Sequence, residues 1–163
     1  MLVIDGYNFL YAVFGLEHNL PIKDFEAART KLQEYLSRYR HITHRQVTLV
    51  YDARGGAQRP NEQYAGIQII YAPPKSNADD YILKTVQNSA QPAEITVVTT
   101  DRELTERVRA AGGSVVSCGA FYRNMTDAFE RGANPPDDKA HEKPARPGPE
   151  EVDHFLREFG EDS

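Results

Sequence analysis

Five aspartates of this 163-residue chain stand where short apolar runs end or where the next segment begins. Asp5 closes Leu2-Val3-Ile4, Asp52 closes Val47-Thr48-Leu49-Val50-Tyr51, and Asp101 follows Ile95-Thr96-Val97-Val98-Thr99. Asp79 and Asp80 come after Ile67-Gln68-Ile69-Ile70-Tyr71, at the start of a helical segment. Carboxylates brought together repel. Two unit charges about 4 Å apart cost roughly 1 kcal/mol in water and about 4 kcal/mol at an effective dielectric of 20. A cluster of them either rises in pKa or binds a cation. An all-oxygen set without His or Cys favours Mg²⁺ or Mn²⁺ over zinc. Such ions serve phosphodiester hydrolysis, because the metal lowers the pKa of the attacking water and stabilises charge on the phosphorus and leaving oxygen.

Each acid also has a plainer reading. Asp5 precedes Gly6 and could simply make a turn, and Asp52 sits before a Gly-rich loop. Ser76-Asn77-Ala78-Asp79-Asp80 looks like a helix start, where acids in the first turn favour the helix dipole. Thr100 and Glu103 form a capping-box pattern that puts Asp101 in the first turn of its helix. Taken one at a time these readings compete evenly with catalysis. Acids at four successive strand-ending positions favour a common site.

The elements that must position them are legible from hydrophobic pattern. The five apolar runs, completed by Ser114-Val115-Val116-Ser117, are continuous rather than alternating, as in parallel strands covered on both faces. Phe25, Ala28, Leu32, Leu36 and Tyr39 mark a helix over about 24–40, Ile82, Leu83 and Val86 another over 78–89, and Leu104, Val108 and Ala111 a third over 101–111. Gly112-Gly113 stops that last helix. Strands alternating with helices give an α/β fold of βαβ units. In such a sheet the carboxyl ends of the strands share one edge, where ligands bind. Adjacent strands lie roughly 4.8 Å apart, so acids on neighbouring ends can converge. The connection 53–66 has turn formers and bases but no apolar period, and reads as a loop too short for a full crossover helix.

Composition narrows the class. Hydrophobic residues make up 40% and charged residues 26%, enough for an ordinary core in one domain. With 24 acids against 19 bases the formal charge is -5, which excludes a uniformly basic nucleic-acid coat but not a local patch. Cys118 is the single cysteine and cannot form an intramolecular disulfide; it reads as a small buried residue. No stretch suits a membrane span or a signal peptide, so the expectation is a soluble, cytoplasmic protein with no membrane partner. Five of the ten prolines lie between Pro135 and Pro149, where the only apolar residues are alanines. The expected organisation is therefore a domain over 1–131, a Pro-rich tether over 132–149 and a C-terminal helix over 150–163, marked by Val152, Phe155, Leu156 and Phe159.

Asp5-Gly6-Tyr7-Asn8 at the end of an N-terminal strand resembles the signature of NYN domains, within the PIN-like nuclease superfamily. Val50-Tyr51-Asp52-Ala53, Ala78-Asp79-Asp80-Tyr81-Ile82 and Val98-Thr99-Thr100-Asp101-Arg102 are similar, in the same order, to later motifs of the YacP-type NYN family. Thr100 departs from the serine often found there but keeps the hydroxyl. The resemblance covers about residues 1–130. It implies a PIN-like three-layer α/β/α sandwich with a central parallel sheet in order 3-2-1-4-5, which makes Asp5, Asp52 and Asp101 neighbours. It also implies a Mg²⁺- or Mn²⁺-dependent endoribonuclease of bacterial mRNA, associated with the ribosome. The metal-binding acids carry over to Asp5, Asp79 and Asp101, with Asp52 as a fourth and Asp80 as the second member of its pair. Asn8 and Arg102 would support the metal site or the phosphate.

Bases for RNA are clustered. Arg38, Arg40, His41, His44 and Arg45 crowd the end of the first long helix, where they could instead relieve the helix dipole. Arg54 and Arg59 follow Asp52, and Lys75 precedes Asp79. Tyr7 could stack on a base or pack against the sheet. The competing class is an inactive PIN-like module that binds RNA or ribosomes as an adaptor. A nucleotide-binding or phosphotransfer enzyme ranks lower, because Gly-x-Gly-x-x-Gly and Walker A patterns are absent. A flap-type DNA nuclease would share the acid plan.

Overall fold

The computed structural model describes residues 1–15, 22–52, 60–73 and 75–133. Strand β1 (Leu2–Asp5) runs directly into helix α1 (Gly6–Phe14), followed by α2 (Ile22–Thr43) and β2 (Val47–Tyr51). A short strand β3 (Glu62–Tyr64) turns into β4 (Ile67–Tyr71), and α3 (Ala78–Gln87), β5 (Thr96–Val98), α4 (Arg102–Ala110), β6 (Ser114–Val116) and α5 (Cys118–Ala133) follow. The sheet order is β3-β4-β2-β1-β5-β6. Every pairing is parallel except β3 with β4. Setting β3 aside, this is the 3-2-1-4-5 order expected. The correction is a sixth, antiparallel strand at the edge, drawn from the connection expected to be a loop.

Side-chain alternation along the strands builds two cores. Leu2 and Ile4, Leu49 and Tyr51, Ile67 and Ile69, and Val98 face α1, α2 and α5. Val3, Val50, Ile70 and Val97 face α3 and α4. That gives the three-layer α/β/α arrangement, and it explains the continuous apolar runs.

Two helices go beyond the sequence pattern. α1 buries Tyr7, Phe9, Leu10 and Phe14 against the sheet and is apolar on most of its surface, so it carries no clear helical period. Gly6 lets it start at once: a Cβ there would lie 2.3 Å from the Tyr51 ring. α5 buries Cys118, Phe121, Met125, Ala128 and Phe129, a spacing of three and four that is helical. The Pro-rich segment and the C-terminal helix expected after 131 lie outside the described residues.

Candidate active site

The parallel register lines up the carboxyl ends of β1, β2 and β5, with Asp5 paired to Val50 and Ile4 to Val98. Asp5 is 7% exposed. Its Oδ2 accepts a hydrogen bond from the Thr99 hydroxyl at 3.2 Å. Burial, then the charge of Asp79, push its pKa up to about 7, with Asp52 and Asp101 adding and the Thr99 bond opposing. The pKa of half-buried Asp79 is raised as well, by burial first and then by Asp101, Asp52, Asp80 and Glu103. Aspartates from four separate segments thus share one electrostatic field. Among the described residues, however, no three His, Cys, Asp or Glu side chains are gathered closely enough to hold one ion in common. The acids meet as a field, not as a closed coordination shell.

Each acid is also held by local structure. The Asp52 carboxylate accepts the backbone N–H of Ala78, the first residue of α3. Asn77 caps that helix by accepting from the Asp80 N–H at 2.8 Å, which sets Asp79 and Asp80 in the first turn as expected. Asp101 differs from expectation: it is the N-cap of α4 itself, accepting from the Leu104 N–H at 2.9 Å, rather than a first-turn residue behind a Thr100 cap. Its own N–H donates to the Thr99 hydroxyl oxygen at 3.1 Å.

Asn8, on α1, is a junction. Its Oδ1 accepts from the Thr100 N–H at 2.7 Å and lies 3.3 Å from both the Thr99 hydroxyl and the Cys118 thiol. It therefore ties α1, the β5–α4 turn and the start of α5 together behind the acids. Cys118 is fully buried, and burial pushes its thiol up to about 11, which fits a packing residue and not a nucleophile. Thr99 lies within the Val98-Thr99-Thr100-Asp101-Arg102 motif, but it is not among the site residues expected from the sequence. The signal available was a hydroxyl residue between a strand run and an acid.

Of the remaining residues singled out, Arg102 opens α4 and is exposed, and Lys75 is exposed in the turn before α3. Tyr7 is a correction. Its ring is buried against Tyr51, with centroids 5.0 Å apart, and edge-on to Phe25, so it offers no face to a base. Arg29, itself buried, approaches the Tyr7 hydroxyl at 3.5 Å. Arg54 and Arg59 lie outside the described residues. No helix among the described residues is long and apolar enough to cross a membrane.

The donor set fits a hard divalent cation in kind: among the described residues it offers carboxylate oxygens and no imidazole or thiolate, and two of these acids have pKa values raised by burial first and by neighbouring acids second. The sequence model of the YacP-like NYN domain matches residues 2–154. Two crystal structures of Rae1 (YacP) from Bacillus subtilis are similar to this chain. The first, of a single-substitution mutant, is 25% identical with a TM-score of 0.67, covering 80% of this chain and 77% of that one. The second is 24% identical with a TM-score of 0.64, covering 82% and 77%. No curated protein matches the chain.

Proposed function

The chain belongs to the YacP-like NYN domain family, a nuclease family tied to RNA, and on that premise we propose that it is a divalent-metal-dependent endoribonuclease. The observation that supports this most is the field shared by Asp5, Asp52, Asp79 and Asp101 at the carboxyl edge of the sheet. Asp5, Asp79 and Asp101 would hold Mg²⁺ or Mn²⁺, with Asp52 and Asp80 beside them. Bound there, the ion would supply an activated water and stabilise charge on the scissile phosphate.

The chain's own residues do the rest. Thr99 fixes Asp5 Oδ2, and Asn8 holds the Thr99–Thr100 turn. Arg102, exposed at the start of α4, would meet a phosphate oxygen. Binding of a cation competes with the proton on Asp5, so metal affinity rises with pH through about 7.

We place the substrate as mRNA on the ribosome. A chain of net charge -5 is expected to bind free RNA weakly and with strong salt dependence, which suits delivery by a larger partner. Co-sedimentation with ribosomes through a sucrose cushion tests this, and absence from the pellet at every salt concentration counts against it. The test of the activity is cleavage of RNA and DNA side by side with Mn²⁺, with translating ribosomes included. Metal-dependent cuts in RNA, lost in Asp79→Asn, are expected.

One observation favours a second reading, an inactive RNA- or ribosome-binding adaptor: the carboxylates are not gathered within common reach of one ion among the described residues. Full inactivity in the same assay, with RNA binding retained, would select it.

A further inference from the structure

The basic cluster at the end of α2 lies at the opposite edge of the sheet from the acids. α2 ends at Thr43, just before β2 begins, and the β3–β4 turn at Ala65-Gly66 comes just before β4 begins. Both therefore sit at the amino ends of the parallel strands. The five residues of β2, at about 3.3 Å each, separate this edge from the acid rim by roughly 17 Å.

An open groove of about 430 Å³ runs here between α2 and the β3–β4 hairpin, and Arg38, Arg40 and His41 line it. Glu34 is the one acid among the described residues that line it. The groove is a built feature. The Ser37 hydroxyl donates to the Ala65 carbonyl at 2.9 Å, pinning hairpin to helix. Ala65 takes a left-handed φ of 45°, which is uncommon for a residue other than glycine and persists where its surroundings hold it. The Arg40 guanidinium lies against Gly66, in space that any side chain would fill.

Relief of the helix dipole accounts for Arg40 and His41, which are in the last turn of α2. It does not account for Arg38, which is exposed one turn earlier with its guanidinium 4.5 Å from the centroid of the Phe129 ring. None of the three side chains makes an ion pair among the described residues. Two guanidinium forks and an imidazole on one groove suit phosphate oxygens spaced along a chain. A polyanion approaching a molecule of charge -5 is repelled by the acid rim and attracted at this end.

We propose that this groove binds the phosphate backbone of RNA, anchoring the strand at a distance from the acids. The proposal rests on the RNA-directed reading above and adds a second contact surface to it. Fluorescence anisotropy of an end-labelled single-stranded RNA with the full chain in EDTA, across a salt series, tests it. Arg38→Gln/His41→Gln alters two exposed side chains, and Arg40→Gln removes the second guanidinium; melting curves check that each variant is folded. The expected result is severalfold weaker binding, with the slope of log K against log salt reduced by about 0.7 for each phosphate that is no longer neutralised. Unchanged affinity and slope in folded variants would overturn the proposal. So would equal competition by polyglutamate at matched charge, or no RNA binding by the unaltered chain. The nuclease reading fails separately, if the unaltered chain with Mn²⁺ cuts no RNA while the anisotropy differences persist.

Discussion

The Asp52 carboxylate at the end of β2 accepts the backbone N–H of Ala78, the first residue of α3. One acid of the rim is thereby committed to holding the helix that carries another, Asp79. The bond satisfies a helix N-terminal donor with a charged acceptor. Asp52→Asn keeps an acceptor oxygen, whereas Asp52→Ala removes it. We expect Asp52→Ala to lose about 1–2 kcal/mol of stability in urea denaturation and most of the cleavage activity. Asp52→Asn should recover a substantial part of both. If Asn and Ala prove equally inactive, Asp52 acts through its charge and not through α3.

Gly6 is the other close junction at the rim. A Cβ on it would stand 2.3 and 2.5 Å from Tyr51 ring carbons and 3.0 Å from the Val50 carbonyl oxygen. Tyr51 is fully buried and cannot swing away cheaply. Gly6→Ala must therefore push α1 off β2, at a cost of about 1–3 kcal/mol. Because Asp5 precedes it and Asn8 follows it, cleavage should fall further than stability alone accounts for. A urea midpoint like that of the unaltered chain would show that the contact relaxes freely.

What can be read from the residues depends on whether the signal is local. Asn77 before Ala78-Asp79-Asp80 is a cap with its own sequence mark, and it does cap α3. The acids at strand ends are visible for the same reason, since each follows an apolar run. α1 is hidden because burial makes Phe9, Leu10 and Phe14 contiguous with partly buried neighbours and blurs the period. β3 is hidden because Glu62–Tyr64 is short and exposed on two of its three residues; it exists because the edge of β4 takes a partner. α5 has a readable period from Cys118 to Phe129, and Ser117 caps it by accepting from the Ala120 N–H at 3.2 Å, but Ser117 also closes the last apolar run and reads there as the end of a strand. Asp101 sits one position from its expected place because Thr100 and Asp101 both suit an N-cap. Strand order follows from family resemblance alone, since no local pattern encodes which strands pair.

Asp5 makes stability depend on pH in a direction opposite to that of most carboxylates. Its pKa is about 7 in the fold, mainly through burial, against an ordinary 3.8. Between those values the folded chain holds a proton that the unfolded chain has released, so stability falls as pH rises through that window. The drop should be on the order of a few kcal/mol in metal-free protein. Urea denaturation in EDTA from pH 5 to pH 8 should show this decline, and Asp5→Asn should flatten most of it. A flat profile in the unaltered chain would mean that water reaches Asp5 freely.

Asp79 carries the last prediction, because it separates charge repulsion from metal binding. Burial and four neighbouring acids raise its pKa, so in metal-free protein its negative charge opposes the fold. Asp79→Asn removes the charge at almost constant shape and leaves the caps by Asn77 and Asp52 intact. In EDTA its melting temperature should rise by about a few degrees, a modest gain because the side chain is half-exposed and partly screened. With Mn²⁺ the order should reverse: the unaltered chain gains stability with the logarithm of ion concentration over its dissociation constant, and the variant gains little. Cleavage should fall at least about 100-fold. A variant that is no more stable in EDTA, yet is still stabilised by Mn²⁺ and still active, would move the ion away from α3.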